Sequence, residues 1–229
     1  MNLSADLALA RLLQLASPTL PVGAYSYSQG LEAAVECGAV LDAASAERWI
    51  GDLLEHGMAR LEAPLWVRLH AAWLADDEPA LARWNAYFIA TRETAELRAE
   101  TLQMGYSLAR LFAALDAFDA AALERLARLD LVSYPAAFAF AVAQWRIDPR
   151  AALLAYLWSW LENQTMAALK AVPLGQTDGQ RMLARLGGAL PETAARCLAT
   201  DDGELCNFTP AFAILSAQHE TQYSRLFRS

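Results

Sequence analysis

Glu32 and Glu36 stand four residues apart, as do Glu96 and Glu100, and on a helix each pair shares one face. Two carboxylates so placed can share a proton or bind a cation weakly. Arg92 lies one turn before Glu96 and Arg98 is close by, so a solvated or salt-bridged face is the simpler reading of that pair. His56, His70 and His219 are isolated: neither an HExxH motif nor a histidine pair at helical spacing spells out a metal site. Cys37, Cys197 and Cys206 are odd in number and unrelated in spacing, so they read as reduced thiols, partly small core residues, rather than a disulfide framework or a metal clip. No phosphate-binding Gly-x-x-x-x-Gly-Lys-Ser/Thr occurs, and the Gly175–Gly179 turn lacks the lysine such a loop needs; no Gly-x-Ser-x-Gly elbow occurs either. Lys170 is the only lysine. It falls near the C-terminal end of a long helical pattern, where the helix dipole favours a cation, and a partner-facing contact is the alternative.

Two segments suit neither catalysis nor a core. The first runs Leu20-Pro21-Val22-Gly23-Ala24-Tyr25-Ser26-Tyr27-Ser28-Gln29-Gly30-Leu31-Glu32. Pro21 fixes its own φ and Gly23 opens backbone regions closed to other residues, so the loop is rigid and presents side chains. The second is the tail Tyr223-Ser224-Arg225-Leu226-Phe227-Arg228-Ser229, which offers two guanidinium groups for charge-assisted hydrogen bonds and apolar anchors. With no catalytic set between them, the chain reads as a protein that works by holding other proteins.

The elements that must position these segments are helices. Ala, Leu, Glu and Arg dominate, and no strand-like alternation lasts. The first stripe, Leu7, Leu12 and Leu15, stops near Pro18. A second helix follows the tyrosine loop with Ser28 as its expected N-cap and Gly38 as its stop. Ser45 is the expected cap of a third, which Pro64 interrupts or restarts. Asp77 with Pro79 opens another. Thr94–Leu115 and Asp119–Leu129 follow. Pro135 opens the segment Ala136–Trp145, apolar all round and therefore central. Arg150–Val172 is the longest helix expected, the Pro173–Gly179 stretch a connector, Gln180–Leu190 and Pro191–Leu198 two short helices. Asp201-Asp202-Gly203 is expected to be mobile, and Thr209 or Asn207 to cap a last helix reaching His219. The fold class expected is all-α, one domain over residues 1–229 built as a bundle of roughly ten helices, with a partner-binding tail at 222–229.

The net charge of −8, from 18 basic and 26 acidic residues without a basic block, disfavours nucleic acid. The apolar runs are too short to span a bilayer, and no secretory signal is seen, so the expected location is cytoplasmic. Hydrophobic residues make up 56% of the chain, more than one core needs, which points to an oligomer or an obligate partner.

The loop, the stretch Lys170-Ala171-Val172-Pro173-Leu174-Gly175-Gln176-Thr177-Asp178-Gly179-Gln180 and the tail together resemble the UreF family of urease accessory proteins. Arg92, Glu93 and the helix around Gly105 also sit where that family has its Arg-Glu-…-Gly pattern, and the match runs end to end. The resemblance implies an all-α homodimer without cofactor, metal site or chemistry of its own. It implies action with UreD (also called UreH) and the GTPase UreG, on apo-urease, during nickel delivery to a carbamylated lysine, as a platform and a GTPase-activating-like or checkpoint regulator. The partner-binding candidates are Pro21, Gly23, Tyr25, Ser26, Glu32, Lys170, Gln176, Asp178, Tyr223, Arg225, Leu226, Phe227 and Arg228. The tail is expected to become ordered on binding UreD/UreH, beside a Tyr25 loop that recruits UreG. A direct nickel carrier and an all-α cofactor-binding enzyme are the alternatives; sparse histidines and unpaired cysteines weigh against the first.

Overall fold

The computed structural model describes residues 3–229, and among them there are eleven α-helices and no strand. In chain order these are α1 (Ala5–Ala16), α2 (Leu31–Glu36), α3 (Ala43–Leu53), α4 (Ala63–Leu74), α5 (Glu78–Ala90), α6 (Ala95–Ala114), α7 (Ala120–Ala127), α8 (Tyr134–Gln144), α9 (Pro149–Ala171), α10 (Gln176–Ala199) and α11 (Pro210–His219). Most starts are written in short polar residues. The side chains of Asp77, Thr94, Asp119, Ser133 and Asp148 each accept the backbone N–H three residues on, satisfying a donor the helix cannot. Proline then occupies the first turn of α5, α8, α9 and α11, where its missing N–H costs nothing.

Helix α8 is the centre. Every residue from Pro135 to Ala143 is buried, against α4 and α6 chiefly. Trp73 Nε1 donates to the Ala136 carbonyl at 3.0 Å, and the Trp73 and Phe140 rings meet edge-on at 5.1 Å. Gly105 makes the α6–α8 crossing possible: a Cβ there would lie 2.0 Å from the Val132 carbonyl oxygen. This placement is the central one expected of a helix apolar all round; because the chain's own helices enclose α8, it offers no apolar surface to a second copy. The apolar side chains that do face outward include Leu7, Leu9 and Leu13 of α1.

Several local readings also change. Asp42, not Ser45, is the N-cap of α3; Ser45 sits three residues in and completes a reciprocal capping box. Gly30, at φ 76°, precedes α2, while Ser28 Oγ still accepts the Glu32 N–H at 3.3 Å. Of the two roles expected for Pro64, it takes the restarting one, in the first turn of α4. The nine residues Leu54–Glu62 join α3 to α4 as a π-helical stretch, in which the Ala63 N–H reaches back to the Met58 carbonyl. Proline 64 cannot donate to the Arg60 carbonyl, and the N–H of Cys206 takes that acceptor at 3.2 Å. Pro191 likewise lies inside one continuous helix, α10, held by buried Leu190 and Ala194; at 24 residues α10, not α9, is the longest. The Asp201–Gly203 segment is a single capped turn whose Asp202 pairs with Arg68 at 2.9 Å, not a loose loop.

Candidate functional site

The glycine-rich loop turns half of itself inward. Gly23 adopts φ 80°, as only glycine does readily, and starts a single 3₁₀ turn, Ala24–Ser26. Tyr25 is 64% exposed on that turn, with Pro21 also outside, whereas Tyr27 and Ser28 are buried. Burial beside the Glu100 carboxyl pushes the Tyr27 phenol above its ordinary value. Gln29 takes a left-handed φ of 52°, an unusual conformation for a residue with a side chain. Interior bonds hold it there: its Oε1 accepts Trp160 Nε1 at 2.8 Å and Gln164 Nε2 at 3.2 Å, and its Nε2 donates to Glu100 Oε1 at 2.7 Å.

The C-terminal tail lies against this loop. The Arg228 N–H donates to the Ser26 carbonyl at 2.8 Å, and the Ser28 N–H donates to the Ser229 carbonyl at 2.8 Å. Glu32, in the first turn of α2, accepts the backbone N–H groups of Leu226 (2.7 Å) and Phe227 (3.0 Å). Arg225 pairs with Glu96 at 2.6 Å, and Ser229 Oγ donates to Glu100 at 2.7 Å. Phe227 is 6% exposed, while Leu226 is 74% exposed and Tyr223 wholly so. The expectation of a tail that waits for a partner to order it is therefore corrected. The Arg225 guanidinium, the amides of Leu226, Phe227 and Arg228 and the Ser229 hydroxyl already have acceptors on the body, and the Phe227 ring already has a pocket.

Lys170, at the end of α9, joins the two segments. Its Nζ donates to the Tyr25 carbonyl at 3.3 Å and lies 5.7 Å from the Tyr25 ring and 5.6 Å from the Phe227 ring. Tyr25, Ser26, Lys170, Leu226, Phe227 and Arg228 thus line one open depression. Gln176 and Asp178 begin α10. Asp178 pairs with Arg181 at 3.2 Å, Gln176 is exposed, and no hydrogen bond joins either to the loop or the tail.

The carboxylate pairs read from spacing dissolve into other partnerships. Glu36 is exposed and away from the tail, so it does not share a site with Glu32. Glu96 and Glu100 hold different residues of the tail, and Arg92 turns to Glu62 at 3.0 Å rather than to Glu96. Sequence reasoning missed His219. It is fully buried with Nδ1 2.6 Å from Glu96 and Nε2 3.2 Å from Glu32, and the only signal for it was a histidine at a helix end. Inside, Glu62 also accepts the Tyr156 hydroxyl at 2.6 Å, and a cavity of about 130 Å³ lies among Gln29, Glu62, Arg92, Glu100, Tyr156 and Trp160. Burial pushes the Glu100 carboxyl up to about 7, against the opposing bonds from Ser229 and Gln29. Burial likewise holds the Tyr134 and Tyr156 phenols neutral. Among the described residues no cluster of three or more His, Cys, Asp and Glu is arranged to hold a metal ion. Cys197 is a core thiol, raised to about 12 by burial; Cys37 and Cys206 are exposed and single. No helix among the described residues is long and apolar enough to cross a membrane.

Known proteins resemble this chain along its whole length. A relative from Azoarcus sp. (strain BH72), called urease accessory protein UreF, is 62% identical over 229 residues, covering 97% of this chain and 96% of its own. One of the same name from Dechloromonas aromatica (strain RCB) is 58% identical over 224 residues, with coverage of 97% and 98%. A third, from Cupriavidus taiwanensis, is 54% identical over 224 residues, with coverage of 96% and 97%. The sequence model of the UreF family matches residues 40–187, the helical body between the loop and the tail. The chain belongs to the UreF family of urease accessory proteins.

Proposed function

We propose that this protein is a scaffold and regulator of the GTPase UreG, acting with UreD/UreH while nickel is inserted into apo-urease. One observation carries the reading: a rigid loop, the only lysine and the tail converge on one surface, where Tyr25 and Leu226 stand exposed among the described residues. An aromatic on a rigid loop loses little entropy on docking, which suits it to anchor a partner. The outward residues of the tail, Tyr223 and Leu226, suit UreD/UreH, and the Tyr25 face suits UreG. A trans-acting arginine for the GTPase would be Arg228 before Arg225, whose guanidinium Glu96 already holds.

Co-purification tests this reading. Tyr25→Ala should leave the helical circular dichroism intact and weaken UreG recruitment about tenfold or more, the scale of an interface anchor. Deleting Tyr223–Ser229 should leave a soluble helical protein that no longer captures UreD/UreH or supports urease activation. Capture of both partners at wild-type levels by both variants would overturn the assignment.

A further inference from the structure

His219 ends α11 between two carboxylates, with Nδ1 facing Glu96 Oε2 and Nε2 facing Glu32 Oε2. A neutral imidazole has one N–H and one lone pair, so it can donate to only one of them. The other contact would set a lone pair of a fully buried ring against a carboxylate oxygen. Both contacts become hydrogen bonds only when the cluster holds an added proton. The helix ends favour the same arrangement, since Glu96 lies in the first turn of α6 and His219 in the last turn of α11.

The same carboxylates grip the tail, Glu32 through the amides of Leu226 and Phe227 and Glu96 through Arg225. We propose that His219 is the positioning residue of a proton-operated clasp. With the added proton bound, the Glu32–His219–Glu96 bridge holds the C-terminal tail on the body, and its loss as pH rises sets the tail free. This rests on the reading of the tail as a partner-binding segment only for its use in the cell. The groups in contact with the ring are Glu32 from α2 and Glu96 from α6; Arg225 of the tail pairs with that same Glu96, Glu100 lies one turn further along α6 and accepts the Ser229 hydroxyl, and Glu220, next in sequence to His219, accepts the Ala95 N–H at 2.7 Å. With a charged ring, Glu32, Glu96, His219 and Arg225 balance; without it a net negative charge stays in a buried site beside Glu220, which desolvation penalises. Glu100 accepts the Ser229 hydroxyl, and that bond favours its ionised form against the burial that raises its carboxyl to about 7, so the clasp does not draw its pH dependence from Glu100.

The full chain, ¹⁵N-labelled and without partners, decides the matter between about pH 6 and about pH 9, a span around histidine titration. The ¹⁵N shifts of the His219 ring report its protons, and hydrogen exchange at Leu226 and Phe227, corrected for intrinsic base catalysis, reports the tail. The expected result is a doubly protonated ring with protected amides at low pH, then about tenfold or greater loss of protection over the interval where the ring loses its proton. His219→Gln should exchange fast at every pH while keeping its helical signal. A neutral ring beneath protected tail amides, or protection indifferent to the ring's titration, would overturn the clasp, and the wild-type titration decides even if His219→Gln does not fold. A clasp that behaves as stated in a chain whose tail can be deleted without loss of UreD/UreH and UreG capture would sink the functional reading alone; the reverse pair of results would sink the clasp alone.

Discussion

Glu100 shows how one buried carboxyl sets a pH dependence. Its folded value of about 7 lies above the ordinary 4.5, so its contribution to stability is full below about 4.5 and is lost as pH rises through about 7. Glu100→Gln keeps its amide oxygen as an acceptor for Gln29 Nε2, turns its NH2 to the Ser229 hydroxyl oxygen and cannot ionise. Its unfolding free energy should change less than that of the wild type between about pH 5 and about pH 8, by about 3 kcal/mol at most, in urea titrations at each pH. An equal slope for the two proteins would show that Glu100 does not titrate in that window. The residue types that build this site are all visible in the sequence, but their partnerships are not. Spacing pairs Glu96 with Glu100, yet His219 and Ser229 meet them across more than a hundred residues, and no periodicity encodes such a contact.

Among the elements, the crossing of α6 and α8 is the least forgiving. The atoms that crowd Gly105 are backbone atoms of Val132, Ser133 and Tyr134, which cannot turn aside as a side chain would. Gly105→Ala should cost roughly 3 kcal/mol or more and lower the melting temperature by about 10 °C, read by circular dichroism. A melting temperature within experimental error of the wild type would mean that the helices separate at no cost there. Most helices were legible because alanine-rich stripes and aspartate or serine caps agree with one another. Proline was the misleading signal. Pro79, Pro135, Pro149 and Pro210 open helices, as the pattern says, but Pro64 follows a π-helical stretch and Pro191 lies inside α10. In the first case the freed carbonyl finds the Cys206 N–H, and in the second buried neighbours on both sides carry the helix through. Both compensations come from tertiary structure.

For the molecule as a whole, the apolar excess in the composition is mostly resolved inside the bundle, around α8. What stays outside includes Leu7, Leu9 and Leu13 on α1, and the family resemblance implies a homodimer that would cover apolar surface of this kind. Light scattering on the order of tens of micromolar should find two chains per particle, and a monomer there would refute it. The tail shows where whole-chain reasoning fell short. Anchor-rich ends look free in a sequence, because nothing marks Glu32, Glu96 and Glu100 as their acceptors. The loop and tail motifs single out two segments that the structure brings together, but they do not reveal that the chain meets itself there.

Lys170 has a practical consequence. Apart from the chain's α-amino group, its Nζ is the only primary amine available to acylating reagents, and it stands against the Tyr25 and Phe227 rings. An amine-directed dye or cross-linker therefore reports on this one depression. Lysine-specific proteolysis likewise has one bond to cut, Lys170–Ala171, where α9 ends. The chain carries its own single-site footprinting probe, placed where loop and tail touch.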